Sequence, residues 1–238
     1  MVLDYLVNTT KNYGINMEQN EVSLIALSSP SAYTGVNSAE QLVAYAARVS
    51  NPANQNNTET AGKLVRYLIK ENHWSPLEMV HLTLEIKTTR DIGRQIIRHR
   101  SFAFQEFSQR YAVSENIDVV REARVQDEKN RQNSNVTDDE HIKSEWGRSQ
   151  ARIRNFAKKE YAAALDMGIA KEQARALLPE GLTGTTLYMA GSLRSWIHYC
   201  DLRMANGTQK EHMDVAEKCW EIIKQHFPDV VKAVEETK

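Results

Sequence analysis

The chain has 238 residues, 41% apolar and 26% charged, enough for one sizeable core, and its ten glycines and five prolines leave no support for a collagen-like or linker-rich polymer. Thirty Lys and Arg against thirty-one Asp and Glu give a net charge of −1, which implies neither nucleic acid nor an anionic membrane as a bulk electrostatic partner. No apolar run reaches the roughly eighteen residues of a spanning helix; the opening MVLDYLVNTT carries Asp4 and no basic stretch, and two cysteines stand outside any disulfide or metal spacing, so a cytoplasmic protein is expected.

Residues 21–29, EVSLIALSS, form an apolar run ending at Pro30 and predict a strand. Helical spacing of Leu42, Val43, Ala46 and Val49 predicts a helix over 39–50, and Leu64, Tyr67 and Leu68 predict another from about 58 to 71. Over 80–88, Val80, Leu82, Leu84 and Ile86 alternate with His81, Thr83, Glu85 and Lys87, the signature of a strand with one buried face. The period then turns helical through Ile92, Ile96 and Ile97. Residues 115–138, charged and rich in Asn and Gln, read as a long mobile loop. The acidic stretch 137–140 suits a helix N-terminus; Ile153, Phe156, Ala157, Tyr161, Ala164 and Leu165 supply the apolar positions of a long helix, and Gly168 stops it. A short helix over 171–178 ends at Pro179, residues 181–184 make a turn, and 193–204 and 209–227 are the last two helices. Trp196, Tyr199 and Trp220 read as packing residues there, and Glu211 and His212 as water-facing. The elements predict an α/β (α+β) architecture, a single domain over 1–238 with a small central sheet flanked by long helices.

Dinucleotide and Walker glycine loops, H-E-x-x-H and G-x-S-x-G are all missing, and no metal site is expected. Cys200, beside Tyr199, and Cys219, beside Trp220, read as small buried hydrophobes rather than nucleophiles. Chemistry concentrates in segment 90–111, RDIGRQIIRHRSFAFQEFSQRY. Arg90, Arg94 and Arg98 fall at i, i+4 and i+8 on one helical face, with Gln95 and His99 as a second polar row. A solvated face is one reading, and a nucleic-acid-binding module that sets the arginine-rich helix on backbone phosphates is the alternative from another class. The row follows a buried strand and contains isoleucines, so part of it lies near the core, where a guanidinium needs an anion. Ser108 and Arg110 form a donor set that a phosphate monoester accepts, whereas the Glu106 carboxylate suits a ribose hydroxyl.

Arg98-His99-Arg100, seven residues, then Ser108 and Arg110 resembles the RHR-x7-S-x-R signature of flavin-dependent thymidylate synthases. His73-Trp74-Ser75-Pro76 with Glu78 is similar to the family's H-x-S-x-x-E, Gln95 to Arg98 to its Q-x-x-R, and Ala174-Arg175 with Leu178-Pro179 to its A-R-x-x-L-P. Arg194, His198 and Arg203 resemble its last basic helix, while Ser192, Gly207 and Gln109 depart from residues common in the family. The resemblance implies reductive methylation of dUMP to dTMP, with 5,10-methylenetetrahydrofolate as carbon donor and FAD reduced by NADPH as hydride source, in a homotetramer whose sites are shared between chains. It implies that His73, Ser75, Arg98, His99, Arg100, Glu106, Arg194 and His198 contact FAD. It places Gln95, Arg98, Glu106, Phe107, Ser108, Gln109, Arg110, Arg175 and Arg203 around dUMP, with Arg203 as the catalytic residue.

The chemistry is consistent with that assignment. Uracil C5 is a poor nucleophile, and the ordinary remedy is a low-pKa thiolate adding at C6, which this chain does not offer. A guanidinium against the ring edge stabilises the pyrimidine anion instead, without being consumed. Arg194 and His198, four apart on one helical face, suit an anionic reduced flavin.

Overall fold

The computed structural model describes residues 20–237, so the opening segment 1–19 lies outside the described residues. In chain order the elements are β1 (Glu21–Leu27), α1 (Ala39–Ala47), α2 (Ala61–Lys70), β2 (His81–Thr89), α3 (Arg90–Ile96), β3 (Ala103–Glu106), β4 (Arg124–Gln126), β5 (Ser134–Val136), α4 (Glu140–Asp166), α5 (Lys171–Ala174), β6 (Gly184–Ser192), α6 (Leu193–Arg203), α7 (Lys210–His226) and α8 (Pro228–Glu236). The result is a mixed α and β fold. A four-stranded antiparallel sheet runs in the order β1-β2-β6-β3, and β4-β5 form a separate hairpin.

The alternation over 80–88 decides the face of β2: Leu82, Leu84 and Ile86 are buried against the helices. Leu84 stands opposite Leu24 of β1 and Met189 of β6, so one register carries the apolar row across three strands. β6 was not expected from the sequence, because Gly184 and Gly191 interrupt a short run in which only Leu187 and Met189 are large apolar residues on the core face. Gly191 is required there: a Cβ would stand 2.4 Å from the Phe102 ring. β3, four residues at the sheet edge, and α8 were likewise missed.

β2 and β6 each run straight into a helix. Ser192, the departure from the family pattern, is the N-cap of α6, its hydroxyl accepting from the Ser195 N–H at 3.2 Å. Gly207 adopts φ +93° in the turn before α7, a backbone state that glycine takes without a Cβ clash. Trp196, Tyr199, Val215, Cys219 and Ile223 of α6 and α7 join the β2 row in one core.

Two expectations are corrected. Segment 115–138, read as a loop, contains the β4-β5 hairpin, held to α7 by buried ion pairs. Glu211 and His212, read as water-facing, are buried, His212 completely. α4 is capped by Asp139, which accepts from the N–H groups of His141 and Ile142, and it ends ahead of Gly168 at φ +82°. Tyr161 and Ala164 of α4 are buried, whereas Ile142, Trp146, Ile153 and Phe156 make an exposed apolar row along one face.

Candidate functional site

The arginine row divides. Arg90 is 5% exposed and lies 3.4 Å from Glu106, whose Oε1 also accepts from the Thr185 hydroxyl at 2.9 Å. The compensation expected from a ligand anion is therefore supplied by the protein, and Glu106 is engaged inside the chain. Arg94 pairs with Glu180 at 3.2 Å, and Arg98 stays exposed. The helical face expected to carry all three is corrected: α3 ends at Ile96, so Arg98 lies beyond it, and with Arg90 and Arg94 paired the helix offers no continuous basic face for a nucleic-acid backbone.

Arg203 and Arg175 are held differently, on His99 and on the Glu172 backbone carbonyl, while Arg90, Arg94, Arg110, Arg121, Arg124 and Arg194 are each paired with a carboxylate. The Nε of Arg203, not its forked end, donates to His99 Nε2 at 2.9 Å. His99 must accept there, so its proton sits on Nδ1. Burial, then the charges of Arg203 and Arg98, hold its pKa down to about 4, and the ring stays neutral at physiological pH. The His99 ring stands edge-on to Tyr199, centroids 4.9 Å apart.

Beneath His99 runs a polar row that sequence reasoning missed. His212 Nε2 meets the Tyr199 hydroxyl at 3.1 Å, and Nδ1 meets Gln95 Oε1 at 3.4 Å. Gln95 donates to Gln209 at 2.8 Å, and Gln209 donates to Glu211 at 3.0 Å. Glu211 pairs with Arg121 at 3.0 Å and with Arg124, and Arg121 continues to Asp91 at 2.7 Å. The signal was present: His212 shares an i, i+3, i+4, i+7 face with Val215, Ala216 and Cys219.

Beside this junction the H-x-S-x-x-E segment meets α6. The Trp74 and His198 rings lie 4.6 Å apart, and Arg194 hydrogen-bonds Glu78. Ser75 and His73 are exposed at this edge, His73 edge-on to Tyr67. Burial and then the Arg194 charge lower the His198 pKa. Arg100 is exposed in the connection from α3 to β3.

The remaining residues form a second group. Phe107, Ser108 and Arg110 are exposed, and Gln109, a departure from the family pattern, is buried and donates to Ser114 at 3.0 Å. Phe107 and Ser114 line a cleft of about 640 Å³ at the sheet end. Arg110 lies 3.4 Å from the Glu172 carboxylate, and Arg175 donates to the Glu172 carbonyl at 3.2 Å. No hydrogen bond or ion pair among the described residues joins this group directly to Arg203 and His99. Both cysteines are buried, and burial drives the Cys219 thiol far above its usual range, which removes it as a nucleophile. Among the described residues no cluster of three or more His, Cys, Asp or Glu is placed to hold a metal ion, and no helix is long and apolar enough to cross a membrane.

The chain is similar to known proteins in sequence and in fold. The probable flavin-dependent thymidylate synthase of Paramecium bursaria Chlorella virus 1 is 50% identical over 212 residues, 89% of this chain and 97% of that one. The flavin-dependent thymidylate synthase of Synechocystis sp. is 50% identical over 198 residues, 83% and 90% of the two chains. The crystal structure of a UMP/dUMP methylase PolB from Streptomyces cacaoi, bound with 5-Br dUMP, superposes with a TM-score of 0.78 at 28% identity, covering 91% of this chain and 95% of that one. Residues 32–229 match the family described as thymidylate synthase complementing protein, and the chain belongs to that family.

Proposed function

We propose that this chain is a flavin-dependent thymidylate synthase that methylates dUMP reductively to dTMP, with FAD as cofactor and 5,10-methylenetetrahydrofolate and NADPH as co-substrates. The observation that carries this is the placing of Arg203 on a neutral imidazole, Arg175 on a backbone carbonyl and Arg98 at the exposed surface, three cations drawn from distant stretches of chain.

The residues divide by chemistry. Arg98, Arg110 and Arg175 with the Ser108 hydroxyl bind the 5′-phosphate, Arg110 exchanging its partly exposed Glu172 for the ligand. Phe107 and Gln109 shape the segment that presents Ser108, and Gln95 and Arg203 face the pyrimidine ring. Arg203 holds its guanidinium against the ring edge and stabilises the anion that makes C5 nucleophilic; as the new carbon bond forms, the C5 hydrogen leaves as a proton. No thiol is required. Glu106, bonded to Arg90 and Thr185, acts on the site only through those partners, while His73, Ser75, Arg98, His99, Arg100, Arg194 and His198 are the residues to hold the flavin. Their chemistry fits: the Trp74–His198 edge offers ring faces, and the surrounding arginines suit an anionic reduced isoalloxazine. A bound flavin supplies the hydride that completes the methyl group.

Among the described residues no hydrogen bond or ion pair joins the Arg203 and Arg110 groups, which favours a site closed between copies in a homotetramer. The exposed row Ile142, Trp146, Ile153 and Phe156 offers an apolar face for a second copy. The test is spectroscopic and chemical: purified protein shows oxidised flavin absorption that NADPH bleaches anaerobically, and with the folate it releases tritium from C5-labelled dUMP. A flavin that bleaches without tritium release contradicts the reaction assigned.

A further inference from the structure

We infer that Gln209 and His212 are positioning residues that fix the side-chain amide of Gln95, so that one Gln95 N–H is held toward a ring carbonyl of the bound pyrimidine nucleotide; this rests on the site proposed above.

The polarity of the row follows from a single charge. Glu211 lies between Arg121 and Arg124. Burial alone would raise its pKa, but the Arg124 hydrogen bond and the Arg121 charge outweigh that and hold it at about 2, so the carboxylate only accepts. Gln209, 3.0 Å away, must therefore turn its Nε2 to Glu211 and its Oε1 to Gln95. Gln95 must then give an N–H to Gln209 and turn its own Oε1 to His212. His212 carries its proton on Nδ1 for that bond, and its Nε2 accepts from the Tyr199 hydroxyl, which burial keeps protonated. Reversing any one amide would set lone pair against lone pair, or N–H against N–H, at about 1–3 kcal/mol per buried clash.

The consequence falls on Gln95. Its amide nitrogen has two hydrogens, and Gln209 uses one. The other remains at a half-buried residue of α3 whose partner His212 stands edge-on to His99, ring centroids 6.2 Å apart. A substrate atom placed there meets a donor that cannot swing round to become an acceptor.

The experiment uses the flavin-loaded full-length enzyme, with dissociation constants for dUMP, 2-thio-dUMP and 4-thio-dUMP measured for wild type, Gln95→Ala, Gln209→Leu and Gln209→Glu. Sulfur is a weak acceptor, so wild type should bind one thio analogue about tenfold more weakly than dUMP. Gln209→Leu should shrink that penalty to about twofold, because the amide is released. Gln209→Glu keeps an acceptor facing Gln95 and should retain the penalty, although the added charge beside Glu211 lowers its Tm below that of the leucine variant. If Gln209 were only structural, the variants would rank by stability with glutamate the more impaired, and that ranking overturns the proposal. So does a wild type with no thio penalty, or a penalty unchanged in Gln209→Leu while Gln95→Ala weakens dUMP. Unchanged dUMP affinity in Gln95→Ala overturns the placement of Gln95 itself, and the inference with it.

Discussion

The junction of α3, α6 and α7 and the segment at Phe107–Arg110 beside α5 hold the two arginine groups in contrasting ways. At the junction, Arg203 hydrogen-bonds a neutral His99 above a row of bonded groups that ends on a buried carboxylate between two arginines. At the other, Arg110 pairs with Glu172 through side chains 68% and 48% exposed, an ion pair that water and salt screen. The two arrangements suit different tasks. Groups that polarise a ring are set before substrate arrives, because reorganising them during the reaction would add to the barrier. Groups that capture a phosphate need only charge and reach, and they gain order on binding.

Breaking the set half should cost most. Arg203→Ala is expected to lower kcat by about 10³-fold while flavin absorption is retained, and full turnover in that variant would remove its role. Next comes the anchor: Glu211→Ala leaves Arg121 and Arg124 buried without their shared anion and should cost about 3–5 kcal/mol in denaturant unfolding. Glu172→Ala in the open half should stay within about 0.5 kcal/mol of wild type. Equal losses at the two glutamates would erase the contrast.

Acid sharpens it further. Burial, followed by the neighbouring charges, lowers the His99 pKa to about 4 and that of His212 to about 3. The unfolded chain binds these protons below about pH 6.5 and the folded chain does not, so their stabilisation is complete above that pH and is lost as pH falls toward 4. Glu40, lifted by burial to about 6, acts oppositely and offsets one histidine between pH 6 and 4.5. Tm should therefore fall by several degrees on acidification, with a shallower slope in His212→Leu; an equal slope would mean that His212 is protonated in the fold. The smallest effect is expected from Cys200→Ala combined with Cys219→Ala, which should keep turnover within about threefold of wild type. Loss of chemistry in that variant with folding intact would restore a thiol mechanism.

Sequence periodicity found the elements whose apolar faces are continuous: β1, β2, α6, α7 and the capped start of α4. It failed where a tertiary partner supplies the reason. β6 needs Gly191 because Phe102 packs on it, and β4-β5 depend on Arg121 and Arg124 reaching Glu211, a contact 87 residues away for Arg124. The motif residues were legible as types, but their partners were not. Arg90 and Glu106 satisfy each other, and Glu211 and His212 looked like surface residues because a polar side chain at a helix start is usually solvated. Their place on the apolar face of α7 was the available sign.

A site shared between copies requires Arg203 of one chain and Arg110 of another to meet on one dUMP. Co-expressing Arg203→Ala with Arg110→Ala, each inactive alone, should give mixed oligomers in which some sites draw both intact arginines, recovering about a quarter of wild-type tritium release. Mixed oligomers, verified by differential tags, that release no more tritium than either parent would contradict it.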